Sequence, residues 1–248
     1  MIEVKIRIGT TESTRRVASG WQELTPSQFV ACCAPRRGVL PVEAMKALLN
    51  LTYAESLFFM PVDWYALFKG YFRWLEKPKQ INDWLFDSIT LTDGRTVYPP
   101  SPDFDNVTWE EFVFVEQLAF AGNWEAVAST LFRPLRVPQL EDEDDRIPFS
   151  RYGTSNRLPL FKLSDGERRA LSVNYLSLRH RLTRRYPYLF TSSGADDKGG
   201  GGTAPQWLEV TQSLLGETVW NERQLLSTSV SQVLFRLNQQ VKASRRKR

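Results

Sequence analysis

The chain has 248 residues, of which 42% are hydrophobic and 12% aromatic, a globular composition that excludes a disordered chain. No run approaches the roughly 18 apolar residues of a membrane helix; the best candidate, Leu57 to Leu75, is interrupted by Asp63, Lys69 and Arg73. A single histidine and two adjacent cysteines, Cys32 and Cys33, count against a zinc site or a disulfide framework, so both thiols are expected as small buried hydrophobes.

The net charge of +4 conceals a segregation of charge. Lys242, Arg245, Arg246, Lys247 and Arg248 lie in the last seven residues, and without those five charges the rest of the chain stands at −1. The opposite extreme is Glu141-Asp142-Glu143-Asp144-Asp145. Consecutive carboxylates point in different directions and lack the alternation and turn glycine of a calcium loop, so this run reads as a solvated loop or a docking strip for a basic partner.

In chain order, Ile2, Val4, Ile6 and Ile8 alternate with Glu3, Lys5 and Arg7, the period of a half-buried strand. Such a start is not a signal peptide, and a cytoplasmic location is the expectation, the host-cell cytoplasm if the chain is phage-encoded. A second strand near Thr14 to Ala18 is placed to pair with the first. Thr25, Pro26 and Gln28 form a capping-box helix start, and the helix should stop by Pro35. Further helices are expected near Val42 to Leu51 and Val62 to Leu75. In the latter, Trp64, Phe68, Tyr71 and Leu75 are spaced as a core face within an aromatic-rich stretch from Phe58 to Phe86.

Residues 88–98, with Thr92-Asp93-Gly94 at the centre, read as a β-hairpin. Thr108 to Glu111 repeats the capping-box spacing and opens a helix to about Ala121. Gly122-Asn123 breaks it, and another helix runs from Trp124 to Phe132 before Pro134. Glu110, Glu111 and Glu116 are expected as cap and surface residues. Residues 135–163 form an acidic irregular connection. Residues 164–190, opened by Ser164 and Glu167, carry the stripe Leu171, Tyr175, Leu178 and Leu182 flanked by six arginines. Residues 191–203 contain four consecutive glycines and read as a linker. Residues 204–248 should hold two helices and the basic tail, the last helix running from Glu222 with a stripe of Leu226, Val230, Val233, Leu237 and Val241. The expected architecture is mainly α with a small antiparallel β element, as an N-terminal α+β domain over 1–134 and a helical C-terminal segment.

No catalytic constellation emerges, and no cofactor or metal is expected. His180 lies among Arg179, Arg181, Arg184 and Arg185 with no nucleophile at a recognisable spacing. Lys198 precedes its glycines, the reverse of a phosphate loop. Two features remain as partner surfaces. One is the final apolar stripe, which needs a surface on this chain or another. The other is the tail of Lys242, Arg245, Arg246, Lys247 and Arg248, which could contact phosphates.

One phrase occurs twice: Leu24-Thr25-Pro26-Ser27-Gln28-Phe29-Val30 and Val107-Thr108-Trp109-Glu110-Glu111-Phe112-Val113. The first, with Trp21-Gln22-Glu23 before it, resembles a W-x-E-L-T-x-x-Q segment of tail-region proteins of Bacteroidota phages and prophages. The second, with Ala126 to Pro134 and its Phe132-Arg133-Pro134 triplet, is similar to another segment of those proteins. The resemblance covers roughly a sixth of the chain. It implies a non-enzymatic tail assembly chaperone that keeps a long, helix-rich tape-measure protein soluble, and it carries over no catalytic residue. The stripe from Leu226 to Val241 is then the candidate partner-binding surface. The alternative is a nucleic-acid-binding accessory protein using the basic tail.

Overall fold

In a computed structural model, the chain is described over residues 1–33, 40–76, 81–91, 94–135, 146–149, 162–189, 207–217 and 221–246. The acidic run 141–145, the glycine linker 191–203, Pro35, and the last two tail residues Lys247 and Arg248 lie outside the described residues. The structure is mainly helical with two small antiparallel sheets, as the periodicities predict. Among the described residues no helix is long and apolar enough to cross a membrane. The chain divides into two compact units, Met1–Leu85 with Leu163–Ser177, and Phe86–Lys162 with Leu178–Arg248. This division departs from the sequence segments: residues beyond 162 belong to both units, and 86–134 belongs with the C-terminal helices.

The first unit begins with a hairpin of β1 (Ile2–Ile8) and β2 (Thr11–Val17), in register from Ile2 opposite Val17 to Ile8 opposite Thr11. Gly9 takes the positive φ of 61° that turns the chain between them. Val4 and Ile6 are buried while Glu3, Lys5 and Arg7 stay exposed, the alternation read from sequence. In α1 (Pro26–Cys33) the capping box forms in both directions. Thr25 Oγ1 accepts from the Gln28 N–H at 3.3 Å, and Gln28 Oε1 accepts from the Thr25 N–H at 3.1 Å. Cys33 is buried and Cys32 half-buried, neither in a disulfide.

Helix α2 (Val42–Leu49) buries Ala44, Met45, Leu48 and Leu49 and ends on Asn50 in the left-handed region. Short α3 (Tyr53–Ser56) carries a capping box of Thr52 and Glu55. Helix α4 (Pro61–Leu67) runs into a π turn at Phe68–Phe72 and a 3-10 turn at Arg73–Glu76. The π turn adds a residue to the helical repeat and moves the inward face on by one position. Phe72 is therefore fully buried beside Trp64 and Leu67, while Tyr71, expected on the core face, is 39% exposed. Around this core Trp21 meets Phe29 and Trp74 edge-on, with ring centroids 5.8 and 5.4 Å apart.

The long helix α7 (Asp165–Arg185) contributes its first half to this unit. Its capping box is formed: Glu167 Oε2 accepts from the Ser164 N–H at 2.8 Å, and Ser164 Oγ accepts from the Glu167 N–H at 3.3 Å. Ala170, Leu171 and Tyr175 are buried here. Asn174 bridges the backbone of Asp83 and Leu85, donating to Asp83 O at 2.9 Å and accepting from the Leu85 N–H at 3.0 Å.

In the second unit, β3 (Ile89–Thr90) and β4 (Thr96–Val97) form the predicted hairpin in abbreviated form. Helix α5 (Trp109–Phe120) is capped by Thr108, and α6 (Trp124–Leu131) by Asn123 after Gly122 turns the chain at φ 70°. Tyr98 and Arg133 exchange backbone hydrogen bonds at 2.9 and 3.0 Å, tying the hairpin to the end of α6. Leu178 and Leu182 of α7 complete its buried stripe here. Three helices follow: α8 (Trp207–Glu217), α9 (Glu222–Ser227) and α10 (Val230–Arg246).

Candidate functional site

The final helix expected from Glu222 is two helices. Thr228 and Ser229 leave the helical path between α9 and α10 and pair with the residues that start α5. The Trp109 N–H donates to Thr228 O at 2.8 Å, and the Val230 N–H donates to Val107 O at 2.9 Å. This short pairing places the starts of α5 and α10 together. It also resets the helical phase, so a stripe counted straight through it mixes two faces. Val230 and Val233 are buried within this unit, and Leu226, Leu237 and Val241 are half-buried. Leu225 and Leu234, outside the counted stripe, are buried as well.

Helix α8 is held to α5 by aromatic packing and by hydrogen bonds. Trp207 lies edge-on to Trp109 at 5.6 Å and packs against Phe112 at 5.4 Å, while Trp109 Nε1 donates to Thr211 Oγ1 at 2.9 Å. A cleft of about 380 Å³ opens beside these helices. Leu214, Leu225, Val233 and Phe235 line it with Arg236, Gln239 and Gln240. Phe235 is 55% exposed, a large apolar ring left in water at an apolar cleft. Chemically the cleft offers dispersion contacts, with two amides and a guanidinium among its lining.

Two carboxylates expected at the surface are in the core. Glu111 is fully buried, and both its oxygens accept from Arg133 Nη2, at 3.2 and 3.0 Å. Arg146 Nη1 lies 3.9 Å from the same carboxylate, and this guanidinium donates to the carbonyls of Leu131 and Asn106 at 2.6 and 3.1 Å. Glu116, 3% exposed, accepts from Arg179 Nε at 2.8 Å and from Trp207 Nε1 at 2.9 Å. The sequence carries one signal for this. Trp109, Phe112, Val113 and Val115 put apolar side chains around most of α5, so a carboxylate on that helix has little water to face. Each is bound to a guanidinium, which offsets part of the cost of burying its charge.

The basic features are also engaged. Arg179 pairs with Glu116, Arg181 with Asp103, Arg185 with Asp105 at 3.6 Å, and Arg168 with Asp165. Of the tail, Lys242 Nζ sits 5.6 Å from the Tyr188 ring centroid, and Arg245 Nη2 donates to Tyr188 O at 3.4 Å. Arg246 is the last residue of α10. His180 is exposed on α7.

No protein-family model, curated protein or solved structure matches the chain.

Proposed function

We propose that this chain is a non-enzymatic phage tail assembly factor that holds a helical protein partner, with a tape-measure protein as the expected client. The resemblance at Trp21 to Phe29, Val107 to Phe112 and Ala126 to Pro134 supplies the class. The observation that carries the reading is the apolar cleft of Leu214, Leu225, Val233 and Phe235, with a half-exposed aromatic ring at it. An amphipathic client helix presents apolar anchors every three or four residues, and a cleft of this kind accepts one such anchor. The contact would form in the host-cell cytoplasm, where the tail is assembled.

The partner surface narrows accordingly. Val230 is occupied by the core, so the contact falls on Phe235 and its neighbours, with Leu237 and Val241 as half-buried flanks. Removing residues 204–248 would be a poor test, because Trp207 and Thr211 belong to the packing of Trp109. The informative experiment co-expresses the full chain with the tape-measure protein and compares Phe235→Glu with the unsubstituted chain. Loss of co-purification, with unchanged circular dichroism, supports the reading; retention of the client by the variant refutes it.

The alternative, a nucleic-acid-binding accessory protein using Lys242, Arg245, Arg246, Lys247 and Arg248, draws less from the geometry. The acid-paired arginines of α7 add little to it, because a guanidinium already facing a carboxylate gains less from a phosphate. Salt-dependent retention on heparin, lost when the five tail cations become Ser, would favour it.

A further inference from the structure

The first unit carries a second apolar surface that the proposed client contact does not use. Within the stretch from Tyr53 to Tyr65, Tyr53 is 76% exposed, Leu57 67%, Phe58 60%, Met60 64%, Val62 69% and Tyr65 51%. The inward positions of the same stretch are filled normally. Phe59 packs on Trp64 with ring centroids 4.8 Å apart, and Trp64 and Leu67 join the core. The exposed set is thus the outer face of a well-packed segment. Tyr53 and Leu57 are four residues apart, and Val62 and Tyr65 three apart on α4, so each pair shares a helical face. Scattered exposed hydrophobics need no explanation, whereas six large ones in one short stretch mark an interaction surface.

We infer that this face is the contact between two copies of the chain. Two observations select that occupant. The six side chains expose on the order of 800 Å², which is what one partner contributes to a standard stable interface. The charges at this face are of both signs and are paired locally: Lys46 with Glu43 at 3.0 Å, and Arg15 with Glu55, which lies within the stretch, at 3.1 Å. Lys46 and Lys69 also sit over the rings of Tyr53 and Tyr65, at 5.9 and 4.7 Å from their centroids. A two-fold contact lays a patch against itself, so it requires a rim with no excess of either sign. A strongly acidic or basic partner would require the reverse.

The test is the mass of the full chain in solution, by sedimentation or light scattering, over a range of concentrations. The unsubstituted chain should be a dimer. Val62→Glu combined with Tyr65→Glu places two charges in the contact at exposed helical positions where Glu is a good helix former. That variant should keep the helical circular dichroism and dissociate at least about tenfold more readily. Phe235→Glu should leave the dimer intact, which separates this surface from the client cleft. A monomeric unsubstituted chain overturns the inference, as does a Val62→Glu/Tyr65→Glu variant that folds and remains dimeric. A dimer dissolved by Phe235→Glu alone would also overturn it, by moving the interface to the C-terminal helices.

Discussion

Glu111 and Arg133 face each other in the core of the second unit, with Arg133 Nη2 3.2 and 3.0 Å from the two carboxylate oxygens and neither side chain more than 5% exposed. Arg133 is the middle residue of the aromatic-Arg-Pro triplet, and Glu111 lies in the second copy of the repeated phrase. The start of α5 and the end of α6 are thus joined by one buried ion pair. Such a pair need not be more stable than apolar residues of the same volume, but halving it strands a charge away from water. Glu111→Ala or Arg133→Ala should each cost about 3–5 kcal/mol, read as a lowered urea midpoint. Glu111→Ala combined with Arg133→Ala should cost less than the two single changes added together. Strict additivity in that cycle would mean that the residues do not interact.

Thr211 Oγ1 accepts the indole N–H of Trp109, 102 positions away in sequence. Thr211→Val keeps the shape and leaves the indole N–H without its acceptor, at a cost of about 1–3 kcal/mol. Circular dichroism should report the loss as a lowered urea midpoint. A substitution that leaves the midpoint in place would mean that this hydrogen bond contributes nothing to the stability of the unit.

Gly166 sits in the first turn of α7, where alanine ordinarily helps a helix. Here an added Cβ would lie 2.6 Å from Cγ1 of Val30, a β-branched side chain with little rotamer freedom. Gly166→Ala should therefore destabilise, by about 1 kcal/mol. Gly166→Ala combined with Val30→Ala should recover part of the loss, measured by thermal melting.

Acid should weaken the first unit as the carboxyls of Glu23 and Glu55 take up protons. The N-terminal ammonium, 2.6 Å away, and the Ser19 N–H and hydroxyl hold the Glu23 carboxyl down from its ordinary 4.5 to about 2. The Thr52 backbone and hydroxyl, with Arg15 beyond them, lower Glu55. A carboxyl lowered in the folded state contributes stability in full above its unfolded pKa, and that contribution is lost as pH falls through the folded value. The urea midpoint should thus decline between about pH 4.5 and pH 2. Glu23→Gln should flatten the decline; an unchanged pH profile in that variant would assign the effect elsewhere.

The helix starts were legible because each is a local event. Thr25 with Gln28, Thr108 and Ser164 with Glu167 form their caps within four residues, whatever the rest of the chain does. The alternation of β1 and the stripe Leu171, Tyr175, Leu178 and Leu182 were legible for the same reason, as periodicities of a single element. Tyr71 and the final stripe were not. In both, the backbone changes phase, through a π turn before Phe72 and through the extended Thr228-Ser229 pairing, and a count by regular spacing carries no record of such a change.

The sequence by itself determined that this is a mainly helical chain with two small hairpins, because caps, turns and hydrophobic periods depend on neighbours a few residues apart. Only the tertiary structure decided which apolar side chains are spent within the fold and which are left in water. It withdrew Val230 and Val233 into the core, buried Glu111 and Glu116 against arginines, and left Phe235 and the outer face from Tyr53 to Tyr65 in water. That allocation depends on which elements meet across distances such as that between Trp109 and Thr211, and no local pattern encodes it.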